Sequence, residues 1–379
     1  YEIGWSDWSS DVCSSDLCNF QFLFHCNTSN FYVKTTTMPL MNFDDLEKYI
    51  TLDEEEKEWR EDGGHTLPIL VSDHLTPLLA NTAIRRQFVP SVKENHDTLG
   101  NLDPQMEKEY SVTPRLVRRY KNRAAFLVTD SCFAYCRHCF RRRFAGTMVG
   151  PATEDDINKA CSFLSSHDEI REVLLTGGDM FTLSDSSLDY LLGKFKEARP
   201  DIIYRLCSRA LTSNPDRFTP QLFKVIEKNS YGAPFYLMTQ FNHPLEVTDK
   251  AKAAINEFIK LGIPIMNQTV LLRGVNDSVQ VETELSDLLL SLRIKPYYLF
   301  QGDLVQGTAH LRVPLSKGME IFKGMRETLS GLGLPQYTID LPQGGGKVPV
   351  DSKSNQGMKD GVWTFLTPEG EERHYPEDN

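Results

Sequence analysis

The sequence predicts an α/β fold built on a parallel sheet, and three observations carry that expectation. Apolar, β-branched or aromatic runs alternate with amphipathic stretches six times in succession through the middle of the chain. Repeated β-α units of this kind give a parallel sheet with right-handed crossovers. Six units fall short of the eight that close a barrel, so the expected architecture is a partial (βα)6 barrel of the TIM type. Residues able to do chemistry also recur just after the strand-like runs, where a parallel barrel gathers its active site.

Taken in order, Asp44–Ile50 and Asp53–Trp59 read as short helices with Asp at the cap and acidic first turns. Residues 63–122 scatter Pro, Gly and charge and read as irregular to helical. Residues 38–123 are therefore expected to form a mainly helical extension against the barrel. The barrel itself is expected over 124–335. Its strand-like runs are Ala124–Asp130, Ile170–Thr176, Ile202–Cys207, Pro234–Phe241, Ile263–Leu272 and Ile294–Phe300. Helix-like segments follow at 153–165, 184–198, 219–228, 248–261, 279–292 and 316–331. Thr219-Pro220 is a cap followed by Pro at the first helical position. Gly262 stands where a helix C-terminal glycine belongs. A seventh strand-like run, Gln336–Asp340, opens a short C-terminal segment over 336–379.

The stretch Asp7–Leu17 has neither helical nor strand period and reads like a translated sequencing adapter, so residues 1–37 are expected to be a non-native leader with Met38 or Met41 as the start. Cys13, Cys18 and Cys26 then carry no weight as ligands. A net charge of −11 argues against a nucleic-acid or anionic-membrane surface. No apolar run reaches the roughly 20 residues that cross a bilayer. Eight cysteines in 379 residues make a disulfide scaffold a poor reading and suit a reducing cytoplasm.

The chemistry concentrates after the first strand, in Cys132-Phe133-Ala134-Tyr135-Cys136-Arg137-His138-Cys139. Three thiolates at C-x3-C-x2-C spacing can hold three irons of a [4Fe–4S] cluster and leave the fourth open to a small molecule. A zinc site is the competing reading, with His138 as fourth ligand. After the second strand, Gly177-Gly178-Asp179 lets backbone approach a ligand closely, although it is also an ordinary turn. Gly344-Gly345-Gly346-Lys347 places a lysine after a flexible approach, either a surface turn or a Schiff-base lysine.

From Cys132 to Gly146 the sequence resembles the radical SAM enzymes, and within them the lysine 2,3-aminomutase family, and the resemblance runs from about Asp44 to Glu377. It implies the core fold of radical SAM enzymes and three cofactors: a [4Fe–4S] cluster on Cys132, Cys136 and Cys139, S-adenosyl-L-methionine, and pyridoxal 5′-phosphate on Lys347. By the same resemblance Gly177, Gly178 and Asp179 hold the methionine end of S-adenosylmethionine, with His138 and Gln268 near its adenosyl end. Arg119 and Arg123 match residues near the pyridoxal phosphate, where arginine suits a phosphate ester; a solvated basic face is the alternative. Arg141 matches the arginine that pairs with a substrate α-carboxylate, against a basic surface run over Arg141–Arg143. Asp303 and Asp340 match the acids that hold the distal ammonium of lysine.

The implied activity is a 2,3-aminomutase, an isomerase that converts L-lysine to β-lysine. An aminomutase for arginine or another cationic amino acid, or a radical SAM protein without pyridoxal chemistry, are the alternatives. The resemblance also implies an external electron donor such as flavodoxin or ferredoxin, a homo-oligomer, no nucleic acid and no membrane. Two departures stand out. Gln343 replaces a glycine of the family's Gly-rich segment, and no cysteine follows Cys207 to build that family's C-terminal zinc site.

Overall fold

The computed structural model describes residues 42–62, 67–350, 354–367 and 369–378, all within one compact unit. The leader expected over 1–37 lies outside them. The alternation read from the sequence becomes strands β3 (Arg123–Thr129), β4 (Glu172–Gly177), β5 (Ile203–Cys207), β6 (Phe235–Thr239), β7 (Ile265–Val270), β8 (Ile294–Phe300) and β9 (Gln336–Leu341). These seven pair as parallel neighbours in chain order. The intended seventh run therefore belongs to the same sheet as the other six. Parallel neighbours in strict succession follow from each strand returning over a helix on the same side.

Two further strands, β1 (Ser111–Thr113) and β2 (Leu116–Tyr120), extend this sheet antiparallel beside β3. The expected irregular-to-helical reading of 63–122 fails there. The run Leu116-Val117-Arg118-Arg119-Tyr120 has no alternation of apolar and polar residues, yet it fills the open edge of β3. At the other edge β10 (Gly346–Pro349) folds back antiparallel on β9. A separate three-stranded sheet, β11 (Asn355–Lys359), β12 (Val362–Leu366) and β13 (Glu372–Pro376), follows.

The helices start where the sequence supplies caps. Before the helical extension, Asn42 rather than Asp44 caps α1 (Phe43–Leu46) in a reciprocal box with Asp45, and Asp53 and Glu56 do the same for α2 (Glu54–Asp62). A third helix, α3 (Thr82–Phe88), completes that extension, and Asn81 caps it. Thr153, Ser184, Thr219, Thr248 and Ser278 cap α4 (Glu154–Ser165), α5 (Asp185–Ala198), α7 (Pro220–Ser230), α8 (Asp249–Lys260) and α9 (Val279–Ser291). The short α6 (Ala210–Ser213) lies between α5 and α7. Gly262 adopts φ +70° after α8, the left-handed ending foreseen for it. The last helix, α10 (Leu315–Thr328), follows Pro314 and borrows its cap from far away: the Glu377 carboxylate accepts from Leu315 N and Ser316 N at 3.1 and 3.2 Å.

Period-2 alternation divides each strand between two faces. Val173, Leu175, Tyr204 and Leu206 enter the main core under the helices, while Leu174, Thr176, Arg205 and Cys207 face a cavity. The extension packs over the cysteine loop through Leu67, Leu70 and Tyr135 in one cluster and Trp59, Val71, Phe88 and Ala134 in another. Each such apolar side chain buried contributes about 1.5–3 kcal/mol. Among the described residues no helix is long and apolar enough to cross a membrane.

Candidate active site

A cavity of about 390 Å³ is lined by residues of all seven parallel strands and of the loops after them. Cys132, Cys136, Cys139, His138, Gly177, Gly178, Asp179 and Gln268 line it, as do Arg119, Arg123, Arg141, Asp303, Asp340 and Lys347. Every site residue singled out from the sequence thus meets in one space.

The cysteine loop is held at both ends and from beneath. Asp130 accepts from Val149 N and Gly150 N at 2.9 and 3.0 Å and draws the loop closed. The extension accepts directly from the loop: Tyr135 N donates to Leu70 O and Arg137 N donates to Gln87 O. Arg137 and Arg142 both grip Glu94, at 2.6 Å for each closest contact, with all three side chains almost wholly excluded from solvent. Such a buried trio is costly to assemble and costly to break, so it holds the loop in one shape. Arg143 pairs with Asp103 and Glu107. The reading of Arg141–Arg143 as a solvated basic run therefore fails.

Cys132, Cys136 and Cys139 are free thiols. Burial, with Asp179 and the neighbouring thiols, pushes Cys132 well up; burial and Cys136 push Cys139 up to about 11. Cys132 and Cys139 thus resist ionisation where they crowd beside Cys136, a donor set short of positive charge, which iron would supply. Among the described residues no three His, Cys, Asp or Glu side chains gather closely enough for one metal ion. The three cysteines share one short loop and line the cavity, the donor set that three irons of a [4Fe–4S] cluster would take with the fourth left open.

Gly177 and Gly178 have a packing role that the sequence does not reveal. Gly177 adopts φ +119°, and a Cβ at Gly178 would lie 2.1 Å from Ser131 O. Only glycine lets the end of β4 lie against the start of the cysteine loop. Asp179 lines the cavity beside the two glycines. Its oxygens accept from Ser208 Oγ, Phe181 N and Arg209 N within 3.0 Å, so the carboxylate is spent on the fold. Burial pushes it up to about 6. His138 is fully enclosed, which drives its pKa well down, and Nε2 lies 2.9 Å from Gln240 Nε2 while buried Nδ1 has no partner among the described residues. Gln240, not foreseen, thus joins Gln268 on that side. His243, on the loop after β6, caps a turn, accepting from Leu245 N at 3.2 Å.

The second group of residues is built on charge. Asp340 and Lys347 stand opposite each other on β9 and β10, and Lys347 Nζ donates to Asp340 Oδ2. Arg119 also donates to Asp340, at 2.8 and 3.2 Å. Burial works to raise Asp340, but the Lys347 and Arg119 charges outweigh it and hold the carboxyl below its usual range. Among the described residues Asp303 has no such cation within hydrogen-bonding reach. It accepts from Gln105 Nε2 at 2.8 Å, and burial together with the Asp340 charge pushes it up to about 7. Gln105 also accepts from Arg119 through Oε1, so one amide links Asp303 to the arginine that holds Asp340. Arg119 thus stands in the cavity wall beside Asp340. Arg123 lies 3.7 Å over the Tyr120 ring, a cation–π contact that leaves its donors for a ligand. Arg141 is aimed by Glu107 at 2.7 Å and Thr176 at 2.8 Å, which leaves three of its five N–H groups. Glu107 and Gln105 come from the extension, and no motif marked them.

Gln343 adopts φ +57°, a left-handed conformation that suits the glycine it replaces. Gly344 is obligatory on other grounds, since a Cβ there would meet the Tyr110 ring at 2.6 Å. Tyr120 Oη accepts from Lys347 N at 3.0 Å and fixes the lysine's backbone.

The chain is 41% identical over 316 residues to L-lysine 2,3-aminomutase of Fusobacterium nucleatum subsp. nucleatum, covering 82% of this chain and 74% of that protein. It is 39% identical over 312 residues to L-lysine 2,3-aminomutase of Clostridium subterminale, covering 81% and 74%. This chain belongs to the lysine 2,3-aminomutase family. Within that family the chain is also 35% identical over 316 residues to glutamate 2,3-aminomutase of Clostridioides difficile, covering 82% and 74%. No protein-family model matches the chain. A radical SAM methyltransferase from Sphaerobacter thermophilus is similar at 16% identity and a TM-score of 0.38, over 59% of this chain and 67% of that one, too low to fix a common fold. Family membership leaves open which distal group the site accepts, and Asp303, Asp340 and Gln105 bear on that choice.

Proposed function

We propose that the chain is an isomerase that moves the α-amino group of L-lysine to its β-carbon. The observation that carries this reading is a primary ammonium already seated in the acid site: Lys347 Nζ donates to Asp340, with Asp303 facing the same cavity. A buried acid pair binds a cationic distal group and repels the second carboxylate of glutamate. Arg141, aimed by Glu107 and Thr176, takes the α-carboxylate at the other end. Two charged anchors of opposite sign hold an extended amino acid in one register.

The reading includes three cofactors and a curled sheet. Side chains from seven successive parallel strands line one cavity, which supports a partial (βα)6 barrel around it. Cys132, Cys136 and Cys139 would hold a [4Fe–4S] cluster, with S-adenosylmethionine between Gly177, Gly178, His138 and Gln268. Lys347 would hold pyridoxal phosphate, with Arg119 and Arg123 for its phosphate. When bound, these groups supply a 5′-deoxyadenosyl radical and a carrier for the migrating nitrogen. The protein's own part is to orient the substrate, to bury the reacting carbons and to exclude water beneath the extension. A cytoplasmic setting, a one-electron donor such as flavodoxin or ferredoxin, and a homo-oligomer belong to the same proposal.

The test is anaerobic reconstitution with iron, sulfide, pyridoxal phosphate and S-adenosylmethionine, followed by lysine, arginine, ornithine or glutamate and mass spectrometry of the products. β-Lysine as the dominant product is expected, and Lys347→Ala should lose both the product and the absorbance of bound pyridoxal phosphate. Formation of 5′-deoxyadenosine with no β-amino acid from lysine would overturn the substrate assignment.

A further inference from the structure

Arg209, at the end of β5, does more than line the cavity. Its Nη1 lies 2.8 Å from Cys136 Sγ. Its Nη2 donates to Glu246 Oε1 at 2.8 Å and to Gln87. The guanidinium stacks over the Phe88 ring at 4.8 Å. Glu246 is wholly buried, and Arg209 is 9% exposed. Its backbone N is itself tied to Asp179 at 2.8 Å. Three elements, the cysteine loop, the Glu246 turn and α3, therefore fix one guanidinium so that an N–H points at one cysteine sulfur, and Nε, also buried, has no partner among the described residues.

A fork locked at this many points is not a mobile surface arginine, and no ion pair requires it to face a thiol. Glu246 alone would satisfy its charge. Hydrogen bonds to cluster sulfurs and nearby positive charge are among the levers that set iron–sulfur potentials. Resting on the cluster reading of Cys132, Cys136 and Cys139, we infer that Arg209 tunes that cluster through Cys136, favouring its reduced state over its oxidised state. The step it biases is a one-electron reduction: the electron comes from an external low-potential donor, enters the cluster, and no bond or proton moves. Arg209 is a positioning residue here, acting through the sulfur. Because Glu246 offsets part of its charge, direction matters as well as sign. Lysine at this position keeps the charge but cannot reach Cys136, Gln87 and Glu246 together.

The experiment is an EPR-monitored redox titration of the reconstituted holoprotein without substrate, on wild type, Arg209→Gln and Arg209→Lys, with iron content measured on the same samples. Arg209→Gln is expected to be about tenfold less reduced at a fixed ambient potential, a midpoint lower by about 59 mV for one electron. Arg209→Lys is expected to fall between the two, with altered g-values in both variants. If Arg209→Gln loads the wild-type complement of iron and keeps the wild-type midpoint, the inference is overturned. Should that variant fail to fold, an unchanged midpoint in Arg209→Lys overturns it equally. A wild-type chain that takes up no four-iron cluster overturns the cofactor reading and this inference together, whereas a loaded protein whose potential ignores Arg209 overturns the inference alone.

Discussion

Asp303 should make lysine binding depend on pH across a range where lysine itself does not titrate. Its carboxyl is pushed up to about 7 by burial and by the Asp340 charge, against the pull of Lys347, Gln105 and Arg119. Binding an ammonium needs the ionised form. With that pKa roughly one-eleventh of the carboxyl is ionised at pH 6 and ten-elevenths at pH 8, so the apparent lysine KM should fall about tenfold between them, or about 1.4 kcal/mol. Asp303→Asn should remove this slope and lower kcat/KM by about ten- to a hundredfold, the effect of losing a hydrogen bond to a charged group, about 1.5–3 kcal/mol. Stability runs the other way. A carboxyl whose folded pKa is raised contributes its stability at acid pH and loses it as the pH rises through about 7. Asp303→Asn without substrate should therefore melt higher than wild type at pH 8 while binding lysine worse. The assay is initial-rate β-lysine formation from pH 6 to 8.5 beside thermal unfolding at the same pH values. A flat wild-type KM, or an Asp303→Asn profile that keeps the slope, would refute the reasoning.

Three further outcomes are expected. Gln105→Ala removes the amide between Asp303 and Arg119 and should raise the lysine KM about tenfold with little change in kcat, read from saturation kinetics. Glu94→Gln strands the Arg137 and Arg142 charges in the interior. A broken buried pair costs about 3–5 kcal/mol, which should lower the apoprotein Tm by about 4–7 °C in a calorimetric scan. Glu282 on α9 is buried with Oε1 unpartnered among the described residues, and burial holds its pKa well up. Its stability is present at acid pH and lost as the pH rises through the folded pKa, so Glu282→Gln should gain Tm over wild type by a margin that widens with pH.

What the sequence by itself determined is local. Strand and helix periods, Thr219-Pro220 and Gly262 announce their own conformations, and seven parallel strands followed from them within about two residues. The cysteine spacing and the lysine after three glycines were legible for the same reason: each motif is contiguous, and its chemistry is written in residue types. What only the tertiary structure decided is pairing across the chain. Arg119 meets Asp340 across 221 positions, Gln105 meets Asp303 across 198, and Arg209 meets Cys136 across 73. No period or spacing encodes such meetings, because they exist only once the strands are ordered around one cavity. The same holds for β2, where a charged run became a strand because the edge of β3 offered it hydrogen bonds, and for Asp179, whose acceptors were claimed by Ser208 and Arg209 from the next strand's loop. Side chains such as Glu94, Gln105 and Glu107 look like ordinary polar residues in sequence. Burial beside a partner gives them their roles, and burial is a property of the fold.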